Sequence, residues 1–424
     1  MSIISRLLDW IHGWLEPGNG VRSNFRYPVP QYLLLPDERL QTLQSMRSIG
    51  DTLADDVVRS VVDSMPSAEV AAKSLFDKLI RNSSPIPEDA PPELAAYFAA
   101  TDNIPDHYID HKKFAIAQKL FADLGPEIVL ILFCKSLPFC YACGFGAEVL
   151  TKTGRMVETG NDQYKRLNRR IMETAQFVIN VLAPGSFSDS GKAIATTQKI
   201  RLIHASIRYF IIESGWDKQR LGEPINQEDM AGTLMSFSFV ILEGLIALGL
   251  LDEDKPADQE KIEAYLYLWN TVGFVLGVDP NNLPRDYQDA KKIAYSIFSR
   301  QARPSEAGRL LTKSLLDYMQ HMIPGKWFDR FPVVVTRYLI SDDVADMLGI
   351  PRVRSPWWHV AVPLARKFFG DIEDWESRSG LFCKVSEKFS RLLLQSVVLY
   401  HNDFKQVRFY IPPSLKNNWN IDEP

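Results

Sequence analysis

Apolar residues recur along most of this chain at spacings of three and four, the signature of helices with one buried face. The pattern predicts amphipathic helices over 51–64, 67–80, 93–100 and 111–124. Two buried helical pieces come next between Glu127 and Leu150, meeting at Ser136-Leu137-Pro138. Further helices are predicted over 162–182, 192–215, 226–248, 261–277, 286–300, 305–322, 331–348 and 360–369. Pro184-Gly185 stops one of them, and Asn226 caps another, with Glu228 and Asp229 complementing its dipole. The 226–248 segment is apolar nearly all round and belongs at the centre of a bundle. Trp269, Gly273 and Gly277, four residues apart, let a neighbour approach closely. Segments 18–36 and 82–92 read as proline-rich connectors, 151–161 as a polar turn, and the tail after Ser396 as β-like. Strands do not alternate with helices, so the expected fold class is all-α, a single large helical domain. It divides into an N-terminal helical extension at 1–113 that packs on the core, a core at 114–351 and a C-terminal extension at 352–424.

Composition narrows the class. The 424 residues are 46% hydrophobic and 24% charged, which suits a soluble globular protein. A net charge of −4 gives no global electrostatic case for nucleic acid. Four cysteines (Cys134, Cys140, Cys143 and Cys383) are too few for a disulfide scaffold and fit a reducing compartment. Residues 1–17 place Ile3, Ile4, Leu7, Leu8, Ile11 and Leu15 at helical spacing beside Trp10 and Trp14. Arg6, Asp9 and His12 interrupt them, so this is not a secretory signal. Docking on the protein's own body is expected, with peripheral membrane contact as the alternative, and the expected location is cytoplasmic. Glu127–Leu150 is the most apolar stretch, but Lys135, Pro138, Gly144 and Gly146 interrupt it short of membrane-spanning length.

Motif chemistry is sparse. The chain has no phosphate-binding glycine loop, nucleophile elbow, zinc-type His-Glu-x-x-His or EF-hand. Cys140-x-x-Cys143 has no second ligand pair nearby and reads as small core residues. The informative segment is Lys192–Gly215, where Ile200, Ile203, Ile207 and Ile211 define an apolar face carrying His204. Arg201 and Arg208 flank it at i−3 and i+4. Burial and neighbouring cations both disfavour imidazolium, so His204 should be neutral. A neutral imidazole between two arginines suits iron in a dianionic cofactor, a haem, with Arg201 and Arg208 available to its propionates or to packing. The same spacing also fits a hydrogen-bonded core histidine. On the helix before it, Arg170 and Thr174 fall on the buried stripe and need either a polar network or a pocket.

Several segments in order resemble the latex clearing proteins, which are rubber oxygenases. They are Ser136-Leu137-Pro138 with Tyr141-Ala142, Thr153-Gly154-Arg155, and Arg170-x-x-x-Thr174-Ala175. Arg201-Leu202-Ile203-His204-Ala205, Asn226-Gln227-Glu228-Asp229-x-Ala231-Gly232-Thr233, and Arg337-Tyr338-Leu339 with Ala345-x-x-Leu348-Gly349 continue the series. The same domain occurs in fungal oxygenases that shorten a farnesyl chain. The resemblance spans about Phe114 to Pro351. It implies a globin-like helical core holding non-covalent haem b, with His204 as the iron ligand. It also implies Arg170 and Thr174 beside bound dioxygen, and a hydrophobic isoprenoid- or lipid-like substrate. The family's acidic base precedes this helix, where Glu158 stands. Latex clearing proteins carry lysine where this chain has Glu173, a departure that makes Glu173 either a second candidate base or an ion-pair partner of Arg169 or Arg170. Two other readings stand beside the oxygenase: a haem-binding sensor or carrier without turnover, and a helical interaction protein with no cofactor.

Overall fold

The computed structural model describes residues 27–64, 91–152, 163–322 and 331–352. The segment 1–17, the helices expected at 67–80 and 360–369, Glu158 and its turn, the C-terminal extension from 353 and its β-like tail lie outside the described residues. Among the described residues the elements are helical and none is a strand, as an all-α fold requires.

The centre of the molecule is one long, broken rod. Asp110 caps helix α1 (His111–Ile131), its carboxylate accepting the Lys112 and Lys113 amides at 3.0 and 3.1 Å. The hydrophobic pattern ends this helix at Leu124, ahead of Pro126. In the fold the proline kinks it instead, with φ −122° and ψ 23° at Leu124. A π-helical turn, Leu132–Ser136, then leads into α2 (Leu137–Ala142) and α3 (Gly144–Lys152). A π turn adds a residue to the winding and so re-aims the helix beyond it.

The segment expected as one helix over 226–248 is two, α4 (Gln227–Phe237) and α5 (Phe239–Ala247). The break is Ser238, with φ −107° and ψ −86°, whose hydroxyl donates back to the Leu234 carbonyl at 2.8 Å. Ser136 of the π turn donates to the Ser236 carbonyl at 2.6 Å, so the two irregular points dock on each other. By length and composition 227–247 could cross a membrane, yet 78% of its apolar window is buried inside the protein. Helix α6 (Pro256–Leu276) starts a turn earlier than expected, at a proline suited to a first helical position, and packs along α1.

Helix α7 (Ala193–Glu213) carries His204. It lies between α6, α8 (Gln163–Leu182) and α9 (Thr52–Asp63). Ala54, Val58, Val61 and Val62 of α9, with Leu94, Tyr97 and Phe98 of α10 (Pro92–Thr101), bury Leu202, Ile203, Ile207 and Ile211 of α7. This apolar seam is separate from the main core and anchors the His204 helix to the N-terminal segment.

Asn226 caps α4 as the pattern anticipated. It is fully buried, accepts the Asp229 amide at 2.9 Å and donates to the Glu223 carbonyl at 2.8 Å. Asn226→Ala should lower stability by about 1–2 kcal/mol in urea unfolding, since it orphans both backbone groups.

Candidate functional site

Helices α8 and α7 form a hairpin, pinned near its turn where Asn180 donates to the Thr196 hydroxyl at 3.3 Å. Along α8, Ile171, Met172, Val178 and Ile179 are buried, whereas Arg170, Glu173, Thr174 and Phe177 are only half-buried. On α7 the half-buried residues include Ile200 and His204, one turn apart. Phe177 points inward, edge-on to Phe237 at 6.5 Å and to Trp269 at 6.2 Å. Arg170 and Thr174 on α8 and His204 on α7 are thus half-buried polar groups on adjoining helices, and Phe177 joins Phe237 and Trp269 in an aromatic cluster.

The His204 Nδ1 atom is buried without a hydrogen-bond partner, while the ring as a whole stays half-open. Burial pushes the imidazole down to about pH 3, helped by the Arg208 and then the Arg170 guanidinium. His204 is thus neutral at physiological pH, as the sequence indicated. Stability is linked to that proton. Without a cofactor, the unfolded chain binds a proton on this histidine below its ordinary value of 6.5 and the folded chain does not until about 3. Stability should therefore fall as pH drops through that window. A His204→Gln variant should show a shallower pH dependence of its urea midpoint.

Arg170 Nη1 pairs with Glu173 Oε2 at 3.0 Å, and the Thr174 hydroxyl donates to the Arg170 carbonyl at 3.0 Å. The lysine-to-glutamate departure has therefore placed a carboxylate on the site's own guanidinium. Tyr141, on α2, is buried with a hydroxyl that has no partner, and burial pushes its phenol well up, moderated by Arg170. It was legible in the sequence only as a motif residue. Cys140 donates its thiol to Ser236 at 3.1 Å, a packing role in keeping with the sequence reading.

The arginines beside His204 are held firmly. Arg201 makes a two-pronged pair with Asp51, Nε to Oδ2 at 2.6 Å and Nη2 to Oδ1 at 2.8 Å, and Nη1 donates to the Val275 carbonyl at 3.3 Å. Arg208 Nε donates to both oxygens of Asp55, at 2.8 and 3.0 Å, and Nη1 donates to the Ile225 carbonyl at 2.6 Å. Ile225 has φ 53°, a left-handed conformation costly for a β-branched residue, and it aims that carbonyl at Arg208. Each pair lies under a glycine. A Cβ on Gly277, φ 85°, would come within 2.6 Å of Arg201 Nε and Asp51 Oδ2, and one on Gly50 within 2.8 Å of Asp55 Oδ2. Gln227 donates to the carbonyls of both glycines, at 3.0 Å (Gly50) and 2.9 Å (Gly277). The Asn226–Asp229 motif thus acts as a clamp over the two pairs. The sequence leaves both guanidiniums available to propionates or to packing; the structure pairs them with Asp51 and Asp55, partners the sequence does not announce, while Arg208 Nη2 is buried with no hydrogen bond among the described residues. The aspartates' spacing of four before a helix was visible, but not what they meet.

Among the described residues no three His, Cys, Asp or Glu side chains gather into a metal site. A metal on His204 must bring its other ligands with it, as iron in a macrocycle does. The neutral, half-open imidazole, its Nδ1 without a hydrogen bond among the described residues, fits such a group.

Comparison with known proteins bears on the family and the fold. Residues 139–367 match the model of the family described as ER-bound oxygenase mpaB/B'/rubber oxygenase, catalytic domain. A rubber oxygenase of Streptomyces sp. (strain K30) is 24% identical over 315 residues, covering 72% of this chain and 71% of that protein. The solved structure of latex clearing protein LCP in the closed state superposes with a TM-score of 0.65 at 20% identity, over 87% of this chain and 95% of that one, and so shares its fold.

Proposed function

Because the chain belongs to the family of ER-bound mpaB/B' oxygenases and rubber oxygenases, we propose that it is a haem b-dependent oxygenase acting on a hydrophobic, isoprenoid- or lipid-like small molecule. The observation that carries this reading is a neutral, half-buried His204 on α7 that feels the Arg170 guanidinium of the adjoining α8, with the aromatic cluster of Phe177, Phe237 and Trp269 on the same helix pair's inner side. Haem bound there would supply the iron that activates dioxygen. His204 would hold that iron through its neutral imidazole. Arg170 presents a guanidinium whose charge reaches the imidazole, suited to stabilising negative charge on oxygen, and Thr174 would join it by turning its hydroxyl from the Arg170 carbonyl. Glu173 lies on Arg170 at 3.0 Å and can take a proton from an allylic carbon while its partner holds it in place. Phe177, Phe237 and Ile200 offer an apolar wall that orients a hydrocarbon chain and excludes water. The globin-like character of the core, Glu158 as a further base, a cytoplasmic location and membrane contact through residues 1–17 belong to the same proposal.

Oxygen uptake by haemin-loaded protein tests it. With a panel of terpenoids and unsaturated lipids, wild type should consume oxygen, and Arg170→Met should lose about 10²–10³-fold of that rate. The Arg170–Glu173 pair favours a second reading, a haem carrier, because it engages the guanidinium that would otherwise assist an oxygen ligand. A carrier would load haemin and consume no oxygen with any of the panel.

A further inference from the structure

The segment that matches the oxygenase family begins at residue 139, yet the partners of the two arginines beside His204 come from far upstream, at Asp51 and Asp55. Arg208 follows His204 by four residues, on the same side of α7. It is 1% exposed, and among the described residues its guanidinium bonds to Asp55 and to the backbone carbonyls of Pro224 and Ile225, leaving Nη2 buried with no hydrogen bond. A buried guanidinium is charged at every accessible pH, so Asp55 is the one carboxylate that balances it. Gly50 leaves the carboxylate room against the guanidinium, and Gln227 holds the Gly50 carbonyl. Arg201, on the other side of His204, is held in the same manner by Asp51, but its guanidinium is directed to Val275 and Gly277.

We propose that Asp55, contributed by the N-terminal segment, is a positioning residue of the His204 site that sets the charge felt by the iron-bound imidazole through Arg208. The proposal rests on the haem reading above. It makes the N-terminal segment part of the active centre, since the core alone would leave Arg208 uncompensated one turn from the ligand. Uncompensated positive charge beside iron favours the reduced over the oxidised metal, whereas removing the guanidinium favours the oxidised one. The Asp51–Arg201 pair serves as the internal control: it fastens the same two helices and lacks Arg208's influence on the imidazole.

The test is a spectroelectrochemical titration of the haemin-loaded full chain. Asp55→Asn should shift the midpoint potential positive, Arg208→Met should shift it negative, and Asp55→Glu should return it to the wild-type value. Asp51→Asn should lower thermal stability and leave the potential in place. A merely structural role would move Asp55→Asn and Arg208→Met in the same direction. Arg208→Met reads the charge from the other partner, so the sign does not depend on one variant folding. Loaded wild type with Asp55→Asn and Arg208→Met both at its potential, or both shifted alike, overturns this inference alone. Wild type that takes up no haemin overturns it together with the reading beneath it.

Discussion

His204→Ala is expected to abolish the sharp Soret band that wild-type protein acquires with haemin, while its far-UV circular dichroism stays helical. The band should fall to the broad absorption of loosely associated haemin, and added imidazole should restore part of it by occupying the vacated position. The expectation rests on three features. The imidazole is neutral, driven down to about pH 3 by burial and by Arg208 and Arg170, so no proton competes with iron. No second cluster of His, Cys, Asp or Glu among the described residues offers a replacement ligand. The helix that carries it is fastened independently by Asp51 to Arg201, by Asp55 to Arg208 and by the Ile203, Ile207 and Ile211 seam, so the variant keeps its frame. Loss of one ligand should lower the haem affinity by at least about tenfold. A variant that keeps the wild-type band would place the iron ligand elsewhere and sink the assignment.

Helix positions were legible because each helix buries a stripe, and the stripe is written locally. Residues 193–213 and 163–182 fall within a residue or two of the periodic segments, and Asn226 caps where Asn226-Gln227-Glu228-Asp229 said it should. The neutral state of the His204 imidazole was legible for the same reason: the apolar stripe buries it, and Arg208 lies one turn away on the same helix. What the pattern could not carry is any interaction that closes across the chain. The Ser238 break depends on a hydroxyl choosing its own i−4 carbonyl while Ser136 takes the carbonyl at Ser236. Nothing in an apolar run announces that. Whether Arg201 and Arg208 serve a cofactor or packing was open in the sequence, because their partners, Asp51 and Asp55, are distant in sequence and adjacent only after folding. Tyr141 was hidden inside a small apolar motif, and only its enclosed, unpartnered hydroxyl marks it out.

Lys135 is the strongest case of such hidden closure, and Glu243→Gln is expected to be among the most destabilising single substitutions in the chain. In the sequence Lys135 merely interrupts the most apolar stretch. In the fold it is 0% exposed, in the π turn, with its ammonium 2.7 Å from Glu243 of α5. Tyr295, itself buried, donates its hydroxyl to the other oxygen of the same carboxylate. Such a triad gains little over a well-packed apolar core, because desolvating two charges consumes most of their attraction. Breaking it is another matter: glutamine leaves an ammonium in the interior with no counter-charge, at a cost of about 3–5 kcal/mol. A domain is stable by only about 5–15 kcal/mol, so the variant should stand near its unfolding threshold at 25 °C. Replacing the whole triad with Lys135→Met, Glu243→Leu and Tyr295→Phe should recover most of the loss, since no polar group is then left unpaired. Urea midpoints of the two proteins decide the matter. A Glu243→Gln midpoint equal to wild type would show that the interior compensates Lys135 in some other way. The consequence reaches the site, because the π turn runs directly into the helix that carries Cys140 and Tyr141. Haemin affinity should therefore fall in Glu243→Gln and return in the triple variant, which separates a packing role for these charges from any part in the chemistry.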